Sequence, residues 1–181
     1  MNIASTAPRW FALQVRARWE NYAAVQRSGK GYQVLLPTYR TKKHSNKRYK
    51  QLERALFPGY LFCEFDALNR LPILITPGVI SVVSCGRVPA PVLDAEVAAI
   101  QMIVSSGIGA EPYPYLEVGN RVRLESGALQ GLEGILIQFK RNHRLVVSVS
   151  LLRRSVAVEI DRSCVGASRP SANMTRDSFA L

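Results

Sequence analysis

Cysteine is scarce in this chain. Its 181 residues include three, Cys63, Cys85 and Cys164, widely spaced and in no CxxC pair. That count excludes a disulfide framework and a zinc knuckle, and it fits reduced thiols. Histidine is scarcer still: His44 and His143 both fall in turn-like stretches. Neither has a carboxylate or cysteine at ligand or triad spacing. Gly107-Ile108-Gly109 has no following Lys-Ser/Thr, so there is no phosphate-binding loop. The carboxylates are scattered. No catalytic constellation, metal or cofactor is expected, and the chain reads as a non-enzyme. Long apolar runs are absent too. The longest stretch, Leu71 to Cys85, is broken by Pro72, Pro77 and Gly78. It is shorter than the roughly 20 residues a membrane helix needs. Met1 to Pro8 is polar and lacks the apolar core of a signal peptide. A cytoplasmic protein that spans no membrane is expected.

Acid is also in short supply. Thirteen Asp and Glu face 24 Lys and Arg, giving a net charge of +11. Such an excess favours nucleic acid or another anionic partner. The 48% hydrophobic content is ordinary and excludes global disorder. The charge is unevenly placed: residues 1–110 carry +8 and residues 111–181 carry +3. Arg40 to Arg54 alone holds seven basic residues against one acid, Glu53. A charge run is ordinarily a solvated hairpin. This density goes further, and Lys42, Lys43, Lys47, Arg48 and Lys50 are candidate phosphate contacts. Tyr49 is the one aromatic there that can stack on a base. Arg16 and Arg18 form a second basic site.

The periodicity predicts the elements. Arg9 to Val15 alternates as a strand. Trp19 to Arg27 reads as a helix with Trp19, Tyr22, Ala23 and Gln26 on one face, ended by Gly29 and Gly31. Tyr32 to Leu36 is a strand stopped by Pro37, and His44-Ser45-Asn46 is a turn. Leu56 to Phe65 is an aromatic-rich central strand. Asp66 to Ile75 is a short helix, and Val79 to Cys85 another strand. Asp94 is the expected N-cap of a helix reaching about Val104, with Val97, Ile100, Ile103 and Val104 as its apolar face. Gly107 to Leu116 has two glycines, two prolines and no period, as a linker does. Beyond it, Val122 and Leu124, then Leu145, Val147 and Val149, then Val156, Val158 and Ile160 alternate with other residues. Four or five short strands in about 45 residues predict a small closed or nearly closed barrel.

Four separated pieces resemble the NusG/RfaH family of transcription elongation and antitermination factors. They are Trp10-Phe11-Ala12-Leu13-Gln14; Leu56-Phe57-Pro58-Gly59-Tyr60-Leu61-Phe62; Thr76-Pro77-Gly78-Val79 with Gly86 and Pro89; and Gly119 to Ile160, with Gly131-Leu132-Glu133-Gly134 in its turn. The resemblance covers residues 9–164 in order. The charged insertion and Glu64-Phe65-Asp66 look nearer to the specialised paralogues. The resemblance implies an α+β fold: an N-terminal α/β sandwich over residues 1–106, a linker at 107–117, and a small five-stranded KOW β-barrel at 118–164. A flexible tail at 165–181 follows.

The resemblance also implies partners. The first domain would dock on the clamp helices of RNA polymerase through Leu13, Phe57, Pro58, Tyr60 and Phe62, suppressing pausing. Arg16 and Arg18 would face the single-stranded non-template DNA, with nascent RNA as the other candidate. The KOW domain would recruit a ribosomal protein, the Rho terminator or another Nus factor through Leu129, Leu132, Leu151 and Leu152. A monomer is expected. Two departures stand out. Asn69-Arg70-Leu71-Pro72-Ile73 carries no threonine run where RfaH has its His/Thr-rich stretch, and Ala128 stands where the family usually has proline. From composition alone, core packing remains open for the aromatic residues and for the four leucines. So does a second function: a ribosome- or RNA-associated KOW protein with no polymerase contact.

Overall fold

The computed structural model describes residues 7–45, 48–139 and 142–166. Its first unit is built on β1 (Arg9–Val15), α1 (Glu20–Ser28), β2 (Gln33–Leu35), β3 (Thr38–Ser45), β4 (Arg48–Ala55) and β5 (Tyr60–Phe65). There follow α2 (Leu71–Leu74), β6 (Val79–Val82), the short pair β7 (Ser84–Cys85) and β8 (Val88–Pro89), and α3 (Asp94–Ser106). The second comprises β9 (Ala110–Tyr113), β10 (Asn120–Arg123), β11 (Glu133–Phe139), β12 (Asn142–Val149) and β13 (Arg154–Ile160).

The first sheet runs β2-β5-β1-β6. Alternation gives β1 two faces. Phe11, Leu13 and Val15 pack with Ala23 of α1, Ile73 of α2 and Leu61, Cys63 and Phe65 of β5. Ala12 turns the other way, with Phe57 and Phe62, toward α3. The strand expected from Leu56 begins only at Tyr60. Gly59, at φ 80°, turns the chain first, and its N–H donates to Glu20 Oε1 at 3.0 Å. Leu56 and Phe57 are buried ahead of the strand.

The residues expected on one face of α1 do not share one environment. Ala23 and Arg27, four residues apart, face the sheet. Trp19 and Tyr22 are 39% and 47% exposed. Arg27 is fully buried, and its Nη1 donates to the Pro72 carbonyl at 2.8 Å, tying α1 to α2. The helix α3 has Leu93 as its N-cap, with Asp94 in the first turn, where its charge suits the helix dipole. Gly107, at φ 70°, ends it.

The second unit is a five-stranded antiparallel sheet, β10-β11-β12-β13-β9. Two expectations change here. The fifth strand comes from the expected linker: Ala110–Tyr113 pairs with β13, where Pro112 is tolerated because β9 is an edge. The sheet is also not closed by a strand ladder. The isolated bridge Leu124↔Val165 and the Glu125 N–H to Cys164 carbonyl bond at 2.8 Å instead tie the segment after β10 to the segment after β13.

The two units share one buried cluster. It runs from Ala12, Phe57 and Phe62 through Val97, Ile100 and Ile103 of α3 into Leu145, Val147 and Val149. The helix α3 packs on β1 on one side and β12 on the other.

Candidate functional site

The aromatic signature forms a face, and that face is covered. Phe57 and Phe62 stand edge to face, centroids 5.4 Å apart at 89°, a favoured aromatic geometry. They are 0% and 1% exposed. Tyr60 is half-buried beside them, with the Arg154 guanidinium 5.4 Å from its ring. Pro58 is exposed. Leu13 is also fully buried, yet it points to the opposite face of the sheet with α1. The structure therefore brings together Phe57, Tyr60 and Phe62 and separates Leu13 from them.

The second unit supplies the cover. Val149 joins Leu35, Phe62, Val92, Val97 and Ile100 around one narrow seam, with Glu96 at its side. The Ser150 N–H donates to Glu96 Oε1 at 3.0 Å across that seam. The other oxygen, Oε2, is buried without a hydrogen-bond partner. Burying a Phe or Val side chain contributes about 1.5–3 kcal/mol, so the apolar residues outweigh the single hydrogen bond of about 1.5–3 kcal/mol.

The four leucines expected on the barrel divide. Leu129 and Leu132 are each 2% exposed and belong to the core with Val122 and Leu124, so they offer no docking surface. Leu151 and Leu152 lie in the turn Ser150–Leu152 and are half-buried against the shared cluster. Sequence reasoning missed Glu96, Val149 and Arg154 in this contact. Glu96 reads as an ordinary acidic residue in a first helical turn, so no sequence signal marks it.

The basic hairpin is separate from the main sheet. Strands β3 and β4 are laddered to each other alone. Their register sets Lys43 opposite Lys50 and Ser45 opposite Arg48, so these four positions share one face; Lys42 lies opposite Gln51. Lys47 lies outside the described residues.

Arg16 and Arg18 sit in the exposed turn between β1 and α1. The Trp19 N–H donates to the Arg16 carbonyl at 3.0 Å and the Arg16 N–H to the Gly78 carbonyl at 2.8 Å. Arg18 adopts φ 70°, a left-handed conformation that costs a non-glycine residue about 1–2 kcal/mol. Among the described residues, no ion pair holds either arginine.

Two titratable groups among the described residues depart from their ordinary values. Burial pushes the Cys63 thiol up to about 12, against the opposing pull of Arg27. A thiol held protonated is no nucleophile. Asp161 is held below the usual carboxylate range by the Ser163 N–H and hydroxyl. His143 Nε2 lies 3.3 Å from Arg162 Nη1. No group of three or more His, Cys, Asp or Glu among the described residues is placed to hold a metal. No helix among them is long and apolar enough to cross a membrane.

The structure is thus an α/β unit with a covered aromatic face, packed on a small antiparallel sheet. The comparisons with known proteins specify it further. The family model described as NusG, transcription termination factor nusG, matches residues 8–101. The transcription termination/antitermination protein NusG of Borreliella burgdorferi is 31% identical over 146 residues, covering 71% of this chain and 76% of its own length. That of Lactococcus lactis is 26% identical, covering 88% and 93%. The solved structure "Domain interaction in Thermotoga maritima NusG" has a TM-score of 0.56 at 20% identity, covering 90% of this chain and 98% of its own. The chain belongs to the NusG family, and thus to the transcription termination and antitermination factors.

Proposed function

We propose that this chain is a cytoplasmic transcription elongation and antitermination factor that docks on the clamp helices of RNA polymerase and suppresses pausing. The carrying observation is the cluster of Phe57, Tyr60 and Phe62 on one side of the first sheet. It offers a concentrated aromatic surface of the kind that anchors protein interfaces. Leu13 drops out of this surface because it faces α1; Pro58 stays at its exposed rim.

The second unit covers this face in the arrangement described, so docking requires the two units to part. Leu151 and Leu152 become fully available in the same step. They are the surface for a second partner, a ribosomal protein, Rho or another Nus factor. Arg16 and Arg18 are exposed, and together with the basic hairpin they reach the non-template DNA or nascent RNA of the docked complex. The charged insertion supports a specialised paralogue that occupies some transcription units and not others.

Affinity purification from nuclease-treated lysate tests this reading. RNA polymerase is retained by the wild-type chain without nucleic acid and is depleted by Tyr60→Ala. Retention of ribosomal RNA that disappears on digestion, with no polymerase, would point to a ribosome-associated protein instead.

A further inference from the structure

Most of the segment between α3 and β10 is held by the second unit. Strand β9 pairs with β13 from Ala110↔Val158 to Tyr113↔Ser155. Tyr113 and Leu116 pack on Ile135, Val146 and Ala157, a small cluster built from second-unit residues. The Ser148 hydroxyl donates to the Leu116 carbonyl at 2.8 Å, and the Leu116 N–H donates to Oγ of the buried Ser155 at 3.2 Å. Glu111 pairs with Arg144 of β12. The Arg153 guanidinium stands 4.4 Å from the Tyr115 ring centroid and 3.5 Å from Glu117 Oε2. That exposed ion pair contributes little; the hydroxyl bonds and the apolar cluster hold the segment. Gly107-Ile108-Gly109 is different. Both glycines are exposed, with open space where a side chain would stand. Of the three, Ile108 touches the shared core.

We propose that residues 107–109 are the whole hinge on which the two units part, and that residues 110–117 stay on the second unit as a strap in both arrangements. This rests on the parting of the units proposed above and adds where the chain bends. Parting breaks the seam of Phe62, Val97, Ile100 and Val149, whose lining includes no residue of the strap. Peeling the strap as well would uncover Ile135, Val146 and Ala157, now 4%, 1% and 2% exposed, and would take the Leu116 N–H from Ser155. Exposing that apolar area makes peeling the costlier route. Glycine at both ends of the hinge absorbs the change in φ and ψ without a Cβ penalty. The consequence is reach. Residues 107–109 fully extended span about 10 Å, whereas residues 107–117 as a free linker would span about 36–40 Å. The freed second unit therefore stays beside the end of α3. A partner of Leu151 and Leu152 is met next to the first unit's own dock, not at a distance from it. The short tether also keeps the second unit at high effective concentration over the aromatic face, so the gate recloses when the first partner leaves.

The test is amide hydrogen exchange of the full chain, read residue by residue by NMR. The Ser150 N–H, which donates across the seam to Glu96, reports the parting of the units. The Leu116 N–H reports release of the strap. Leu145, in the central strand of the second sheet, reports unfolding of that unit. Protection at Leu116 should match Leu145 and exceed Ser150 by about tenfold or more, because the strap opens only when its own unit unfolds. If Leu116 is as weakly protected as Ser150 and both fall below Leu145, the strap leaves with the seam: the short hinge is wrong and the parting stands. If Ser150 is as protected as Leu145, the units do not part short of unfolding, and both readings fall. A Gly/Ser insertion of about twelve residues gives a second readout. Between Gly109 and Ala110 it lengthens the tether roughly fivefold, and effective concentration falls as the −3/2 power of length, so polymerase capture should strengthen by up to about tenfold. Between Glu117 and Val118, both exposed, it lies past the strap and should leave capture unchanged. Equal gains from the two insertions would overturn the hinge.

Discussion

The two sides of the first unit carry their aromatic residues in opposite ways. On one, Phe57 and Phe62 are buried beneath α3 and the second unit. On the other, Trp19 and Tyr22 stand open beside arginines. The residue types are alike, and the difference is the cover. A covered apolar face must be uncovered before a partner can use it, so its availability is conditional. An open, charged edge is always available and pulls anions from a distance. The proposed function therefore pairs a constitutive attraction for nucleic acid with a gated attraction for protein.

Several variants would break or sharpen that contrast. The largest effect belongs to Phe62→Ala, which empties a buried aromatic site. It should cost about 3–5 kcal/mol in denaturant unfolding, whereas Tyr22→Ala on the open edge should stay within about 0.5 kcal/mol. Similar losses at the two sites would erase the contrast. Tyr60→Ala comes next. It should weaken polymerase capture by about 2 kcal/mol, some thirtyfold, with the fold intact by circular dichroism. Neutralising Lys42, Lys43, Lys47 and Arg48 together should lower the salt slope of binding to bubble DNA by up to about four. An unchanged slope removes the hairpin from the interface.

A smaller test concerns Cys63. Its thiol sits near 12 in the fold against an ordinary 9.0. In the unfolded chain it loses its proton first, so stability should fall as pH rises from about 9 to 12 and be fully present below 9. Unfolding midpoints across that window should show the drop, and Cys63→Ala should remove this component. A drop of the same size in the variant would assign it to other groups.

Much of the fold was legible because alternation and helical spacing report burial directly. β1, β12, β13 and most of the apolar face of α3 follow from it; Val104, expected on that face, is exposed one residue beyond the buried Ile103. The failures have physical causes. The period of α1 fits two faces, and the one it buries carries Arg27, a charge that sequence patterns place in water. The linker reading of Gly107 to Leu116 rested on its two glycines, its two prolines and the lack of a period, but an edge strand accepts Pro112. Leu129 and Leu132 look like a loop patch in sequence, and only the folded sheet turns them inward. The aromatic signature was visible, and its cover was not. Nothing within Val149, Leu151 or Leu152 says that they complement Phe62, because complementarity belongs to two surfaces rather than to one pattern. The open edge was half legible: Arg16 and Arg18 stood out by charge, whereas Trp19 and Tyr22 were placed on one helix face with Ala23, which is buried while they are exposed.

The central claim is that the second unit gates the aromatic face. Glu96→Arg tests it most directly, because it removes the acceptor of the Ser150 N–H and puts a cation beside the apolar seam. Polymerase capture by the full chain should rise above wild type as the seam opens, with single-stranded DNA binding unchanged. Capture that stays level or falls, in a variant whose seam is shown open by faster proteolysis between the units, would contradict the gate.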